Sequence, residues 1–179
     1  MNASRQIVER YLEAARGYIE LDLPDQALEE LGKVAGIERY AFSYHQLRGD
    51  AYRQRREHDQ ALTEFMLAHE ECPSDLSVSL GMAWCLKRLD RLDQAVDVML
   101  QAYKDHPKEP IVLYNLACYY TLAGQKSDAL SWLGRALRME SSLRTLIDDE
   151  SDFNPLRSDP DFKFLTRRTP DHMKSAEQE

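Results

Sequence analysis

Histidine, cysteine and clustered carboxylates are the side chains from which most reactive centres and metal sites are assembled, so their spacing is the first thing to weigh. His69 and Cys72 stand three residues apart, which puts both on one face of a helix. A structural zinc takes about four ligands, however, and no second pair accompanies these two. His58 precedes Asp59 as a catalytic dyad could, but both fall between two apolar stripes, where a solvated turn accounts for them. Cys118 lies in an apolar stretch and reads as a small filler. The run Asp148-Asp149-Glu150-Ser151-Asp152 lacks the glycine and the spacing of a calcium loop and reads as a solvated turn. Arg53-Gln54-Arg55-Arg56 and Lys87-Arg88 end helical stretches, where cations suit the helix dipole. No glycine-rich phosphate loop or nucleophile motif occurs. The expectation is a protein with no catalytic activity, no metal and no cofactor.

The bulk numbers point the same way. In 179 residues, 31 acids against 23 bases leave a net charge of −8, which gives no global attraction to nucleic acid or anionic membrane. Three cysteines, Cys72, Cys85 and Cys118, are odd in number and sit in helical patterns, which fits reduced thiols and a cytoplasmic setting. The N-terminal stretch is charged throughout, unlike a signal peptide, and nothing approaches the ~18 consecutive apolar residues of a membrane span. No membrane insertion is expected.

Elements must position whatever the chain offers, and these emerge from an internal period. Ala27, Ala61, Ala95 and Ala129 are each 34 residues apart, inside similar phrases: Pro24-Asp25-Gln26-Ala27-Leu28, His58-Asp59-Gln60-Ala61-Leu62, Leu92-Asp93-Gln94-Ala95-Val96 and Lys126-Ser127-Asp128-Ala129-Leu130. A small residue at such a site lets two helices cross closely. Four residues on stand Leu31, Phe65, Met99 and Leu133, and three beyond those Val34, Ala68, Ala102 and Ala136, the rhythm of an amphipathic helix. A preceding helix in each unit carries Tyr18, Tyr52, Leu86 and Tyr120, with Ala15, Gly49, Ala83 and Ala117 three residues earlier. Pro73 and Pro107 close the second and third units, and turn formers such as Leu23-Pro24-Asp25 and Ala123-Gly124-Gln125 separate the two helices of a unit.

This pattern resembles the tetratricopeptide repeat, W-x2-L-G-x2-Y…A-x3-F…P, over residues 8–141. The second unit keeps Gly49, Tyr52, Ala61, Phe65 and Pro73; the fourth keeps Leu113, Leu116, Ala117, Tyr120 and Ala129. The tryptophan is replaced by Tyr11, His45, Ser79 and Leu113, and Arg48 stands where leucine is usual, which is expected to weaken packing in the second unit. The expected fold is all-α: a right-handed superhelical α-solenoid of four repeats, at about 8–41, 42–75, 76–109 and 110–141. A C-terminal capping segment follows over 142–166, because a solenoid must cover its last apolar face. Leu143, Leu146 and Ile147 form its apolar stripe, and Asp159 with Pro160 starts a short helix through about Leu165. A disordered polar tail is expected over 167–179.

The resemblance implies a role in protein–protein interaction, with the first helix of each unit lining a concave groove. By register the residues left free of packing are Glu9, Leu12, Arg16 and Ile19; Ser43, Gln46, Asp50 and Arg53; Ser77, Leu80, Trp84 and Lys87; and Ile111, Tyr114, Cys118 and Thr121. Leu80, Trp84, Ile111 and Tyr114 form an apolar group of the kind that anchors a peptide, with Arg16, Arg53 and Lys87 placed to hold acidic groups. The same aromatics could instead be covered by the C-terminal helix, or form a homodimer interface. Chaperone-binding relatives grip a terminal carboxylate at positions matched here by Leu12, Arg16, Leu47, Ser77 and Gly81, of which only Arg16 has a suitable charge. The functions left are an adaptor or scaffold for a protein or peptide, a dedicated chaperone resembling those of secretion systems, and a homo-oligomeric assembly protein.

Overall fold

The computed structural model describes residues 2–167, with side chains from Arg5 onward; the tail expected from residue 167 falls, beyond that residue, outside the described residues. The described chain is helical with no strand, and its helices follow one another as antiparallel pairs in two compact units that divide after residue 107.

The first unit holds three hairpins: α1 (Asn2–Glu20) with α2 (Pro24–Gly32), α3 (Ala41–Gln54) with α4 (His58–Glu71), and α5 (Leu76–Arg88) with α6 (Leu92–Asp105). In each, the spaced alanine is sealed at the crossing: Ala27, Ala61 and Ala95 are all 0% exposed. The bulky residue of the same stripe lies beside it, with Leu31 and Met99 at 0% and Phe65 at 1%. The second unit holds α7 (Pro110–Leu122) with α8 (Lys126–Met139), then α9 (Arg144–Ile147) and α10 (Pro160–Thr166), separated by a 3-10 segment at Ser151–Leu156.

All four hairpin turns are built alike. Asp22, Arg56, Asp90 and Gly124 have φ of 56°, 62°, 59° and 73°, the left-handed conformation that ends a helix. The next amide then reaches back to the carbonyl of the bulky residue: Leu23 to Tyr18 at 2.9 Å, Glu57 to Tyr52 at 3.0 Å, Arg91 to Leu86 at 2.9 Å and Gln125 to Tyr120 at 2.9 Å. Three of the four turns hold this conformation with a side chain present, at a cost of about 1 kcal/mol each relative to glycine.

Arg48 does not leave the weak spot expected of it. Its Nε donates to Glu64 Oε1 at 2.7 Å and its Nη2 to the Tyr52 hydroxyl at 3.1 Å, while the guanidinium centre lies 5.4 Å from both the Tyr44 and Tyr52 rings. His45, in the tryptophan position, shares the same carboxylate: its Nδ1 lies 2.7 Å from Glu64 Oε2. Two apolar signature residues are thus replaced by one polar network that joins α3 to α4 and keeps its groups satisfied.

The C-terminal segment buries two of the three stripe residues expected and adds three others. Phe153, Leu156 and Phe162 are buried, as are Leu143 and Ile147, whereas Leu146 is 48% exposed. Asp159 caps α10, accepting from the amides of Asp161 and Phe162 at 2.9 and 3.1 Å, and Lys126 on α8 pairs with both Asp159 and Asp161. Arg157 fastens the preceding turn by donating to the carbonyls of Ile147, Asp148 and Glu150. Within the acidic run Asp148, Asp149 and Ser151 are exposed as a solvated turn requires, but Asp152 is buried at 8% exposure, because the short 3-10 segment turns it and Phe153 inward.

Candidate binding face

Within residues 1–107, first helices pack on one another, α1 on α3 and α3 on α5, so their faces form one continuous layer. On it, Arg16 is exposed, Ile19, Gln46, Asp50, Arg53, Leu80, Trp84 and Lys87 are half-buried, and Leu12 is buried in the α1–α3 core. Side-chain hydrogen bonds hold the layer in register. Gln54 Nε2 donates to the Ile19 carbonyl at 2.8 Å, linking α3 to α1. Gln46 Nε2 donates to Ser77 Oγ at 2.7 Å, linking α3 to α5, and Ser77 donates in turn to Asp75 at 2.6 Å. Asp75 is the N-cap of α5 and also accepts from the Val78 amide at 2.9 Å.

Trp84 is the largest apolar side chain offered by this layer, and cations surround it. The Arg53 guanidinium centre lies 5.9 Å from its ring and that of Arg88 5.8 Å, distances at which the ring face attracts a cation. His58 meets it edge-on at 5.2 Å. Burial, with Arg88 and Arg56 adding to it, holds the imidazole below the usual histidine range, so it favours the neutral form. Arg53 also pairs with Asp50 at 2.9 Å, which fixes its guanidinium beside the ring. Periodicity gave no hint of Arg88, His58 or Asp75, since each acts through a contact that occurs in one repeat only. The Cys85 thiol, next to Trp84 in sequence, is fully buried and pushed up to about 12 by desolvation, which leaves it a packing group.

In the second unit, Ile111 is half-buried while Tyr114 and Cys118 are 4% and 2% exposed. The C-terminal segment lies over them: the Phe153 ring meets Tyr114 edge-on at 5.5 Å and lies 5.5 Å from the Phe162 ring. Burial, and then the negative charges of Cys118, Glu150 and Asp152, push the Tyr114 hydroxyl well above the usual tyrosine range.

The fold and this face define a tandem helical-hairpin protein whose first helices within residues 1–107 present a shared surface. The tetratricopeptide-repeat family profile matches residues 77–109. The crystal structure of MamA superposes with a TM-score of 0.70 at 17% identity, covering 77% of this chain and 81% of that one. A MamA structure from strain MSR-1 gives 0.66 at 23% identity over 75% and 78%. PilF of Pseudomonas aeruginosa gives 0.68 at 18% identity, covering 94% of this chain and 80% of its own. No curated protein matches the chain by sequence. The repeat profile over residues 77–109, the solved structures and the 34-residue period agree on a tetratricopeptide-type fold of tandem helical hairpins.

Proposed function

We propose that the α1/α3/α5 layer of residues 1–107 binds a segment of another protein and that the chain acts as a non-catalytic adaptor. The observation that carries this is Trp84, a half-buried aromatic with guanidiniums on α3 and α5 beside it. A side chain of that size, with Leu80 one turn before it on α5, is the kind of anchor that supplies most of the energy of an interface. The cations favour a ligand that brings an acidic group next to an apolar one, with exposed Arg16 available to a second acid. Ile111 belongs to the proposed face of the second unit, but Tyr114 and Cys118 are already occupied by the chain's own C-terminal segment. Three unbridged cysteines are consistent with a reducing compartment such as the cytoplasm. Among the described residues no helix is long and apolar enough to cross a membrane.

The test is affinity capture with wild-type bait beside Trp84→Ala, followed by titration of the captured partner. Removal of a central aromatic anchor costs ~2 kcal/mol or more, about thirtyfold in affinity. A partner that binds the substituted, still helical bait with unchanged affinity refutes the assignment. A single aggregation-prone client would make the adaptor a dedicated chaperone, and a mass that rises with concentration in light scattering would point to self-assembly.

A further inference from the structure

Donor groups from two separate stretches of the second unit converge beneath the C-terminal segment. Cys118 lies on α7, one turn after Tyr114, and Glu150 and Asp152 flank the start of the 3-10 segment. One ligand atom from each of Cys118, Glu150 and Asp152 lies within 4.8 Å of the others. Cys118 and Asp152 are 2% and 8% exposed, and Glu150 is half-buried. Beside them the Tyr114 hydroxyl, on a side chain 4% exposed, finds no hydrogen-bond partner among the described residues. A buried hydroxyl left in that condition costs ~1–3 kcal/mol and calls for an explanation. Tyr114 and Glu150 also line a cleft of about 340 Å³ with Ile111, Asn115, Leu146 and Asp149, which gives solvent a way to the cluster.

Three acids this close repel one another once ionised. A divalent cation between the acids would replace that repulsion with attraction and give the Tyr114 oxygen something to face.

We infer that Cys118, Glu150 and Asp152 bind a divalent cation of the zinc class, with the Tyr114 oxygen on its cleft side. A thiolate beside carboxylates favours zinc over calcium or magnesium, which take oxygen alone. Tetrahedral bonds of ~2.0–2.3 Å set neighbouring ligand atoms roughly 3.5 Å apart. Loading therefore draws the Glu150–Asp152 turn onto α7, and the cation pins the C-terminal segment across that helix. The thiol gives up its proton to the solvent as the metal binds.

Cobalt(II), which takes the same site and absorbs light, is the probe. The full-length chain, stripped with chelator, is titrated with cobalt and then with zinc. The expected result is one equivalent of cobalt with a thiolate charge-transfer band, displaced by zinc. Cys118→Ser abolishes the band, Asp152→Asn weakens binding at least about tenfold, and Cys72→Ser, which removes the thiol near His69, leaves both band and affinity intact. If Cys118→Ser fails to fold by circular dichroism, Glu150→Gln replaces it, since its half-buried side chain is better tolerated; a tenfold loss supports the site and unchanged affinity overturns it. Absence of the band in the wild type, its persistence in folded Cys118→Ser, or its loss in Cys72→Ser overturns the assignment. Failure here leaves the Trp84 proposal standing, because the two concern different units.

Discussion

Phe65 is the largest fully buried side chain of the first unit, and two glycines lie against its ring. A Cβ built on Gly49 of α3 would sit 2.6 Å from Phe65 Cδ1 and 2.7 Å from Cε1, and one on Gly81 of α5 would sit 2.7 Å from Cζ and 2.8 Å from Cε2. Carbon atoms in contact prefer ~3.5–4.0 Å, so either methyl overlaps the ring by about an ångström. The ring is 1% exposed, and two different helices supply the two glycines, so retreat from one leaves the other in place. Gly49→Ala gains ~0.8–1.0 kcal/mol of helix propensity but incurs overpacking of ~1–3 kcal/mol, here toward the upper end. The net expectation is a loss of about 1–2 kcal/mol. Urea unfolding followed by circular dichroism would show the midpoint fall by roughly 0.5–1 M at an m-value of ~2 kcal/mol/M. In a Phe65→Leu background the overlap is gone, and the same Gly49→Ala change becomes neutral or stabilising. That reversal is a coupling of ~1–3 kcal/mol, within the range for touching residues. A Gly49→Ala protein that unfolds at the wild-type urea concentration or above would refute this account of the packing.

Two further outcomes follow from the polar contacts. Glu64→Ala leaves both Arg48 and His45 without their shared carboxylate in a half-buried site and is expected to cost ~1–3 kcal/mol, read as a lower unfolding midpoint; Arg48→Leu, which restores the family residue, should cost less than Glu64→Ala. Asp159 is held below the usual carboxylate range by its hydrogen bond to Lys126 and by the Phe162 and Asp161 amides. A folded-state value below the unfolded one means its contribution is complete above the unfolded value of 3.8 and is lost as pH falls through the folded value. Protection factors at α10, taken against the intrinsic exchange rate at each pH, should therefore fall under acid and in Asp159→Asn at neutral pH, and equal protection in both proteins would contradict the assignment.

How much of this could be read from the chain alone differs from one part to another, for a physical reason. The spaced alanines, the small residues at 15, 49, 83 and 117 and the proline ends recur, because each marks the same helix crossing in successive units. A contact made four times leaves a period. Contacts made once leave none: Gly81 looked like an ordinary first-helix position until Phe65 was seen lying against it. Arg48 looked like a defect because the sequence does not show Glu64 arriving from the next helix. The C-terminal segment was misread in detail for the same cause. Leu146 fits an apolar stripe yet faces outward, and Asp152, in what looked like a solvated acidic turn, is turned inward, since a short segment without periodicity takes its facing from what it lies against. The places of Trp84 and Arg53 on the first-helix face were legible; the contacts of Arg88 and His58 with the Trp84 ring were not.

The four left-handed turns recur at an interval of 34 residues, at 22, 56, 90 and 124. Connectors that bend alike at equal intervals make the architecture indifferent to the number of modules. Loss or gain of one whole 34-residue module returns every later residue to an equivalent place, whereas a one-residue deletion inside a helix shifts each remaining stripe by about a hundred degrees. Length variation in such a chain is therefore quantised, and duplication of an internal module is the change it accommodates most readily.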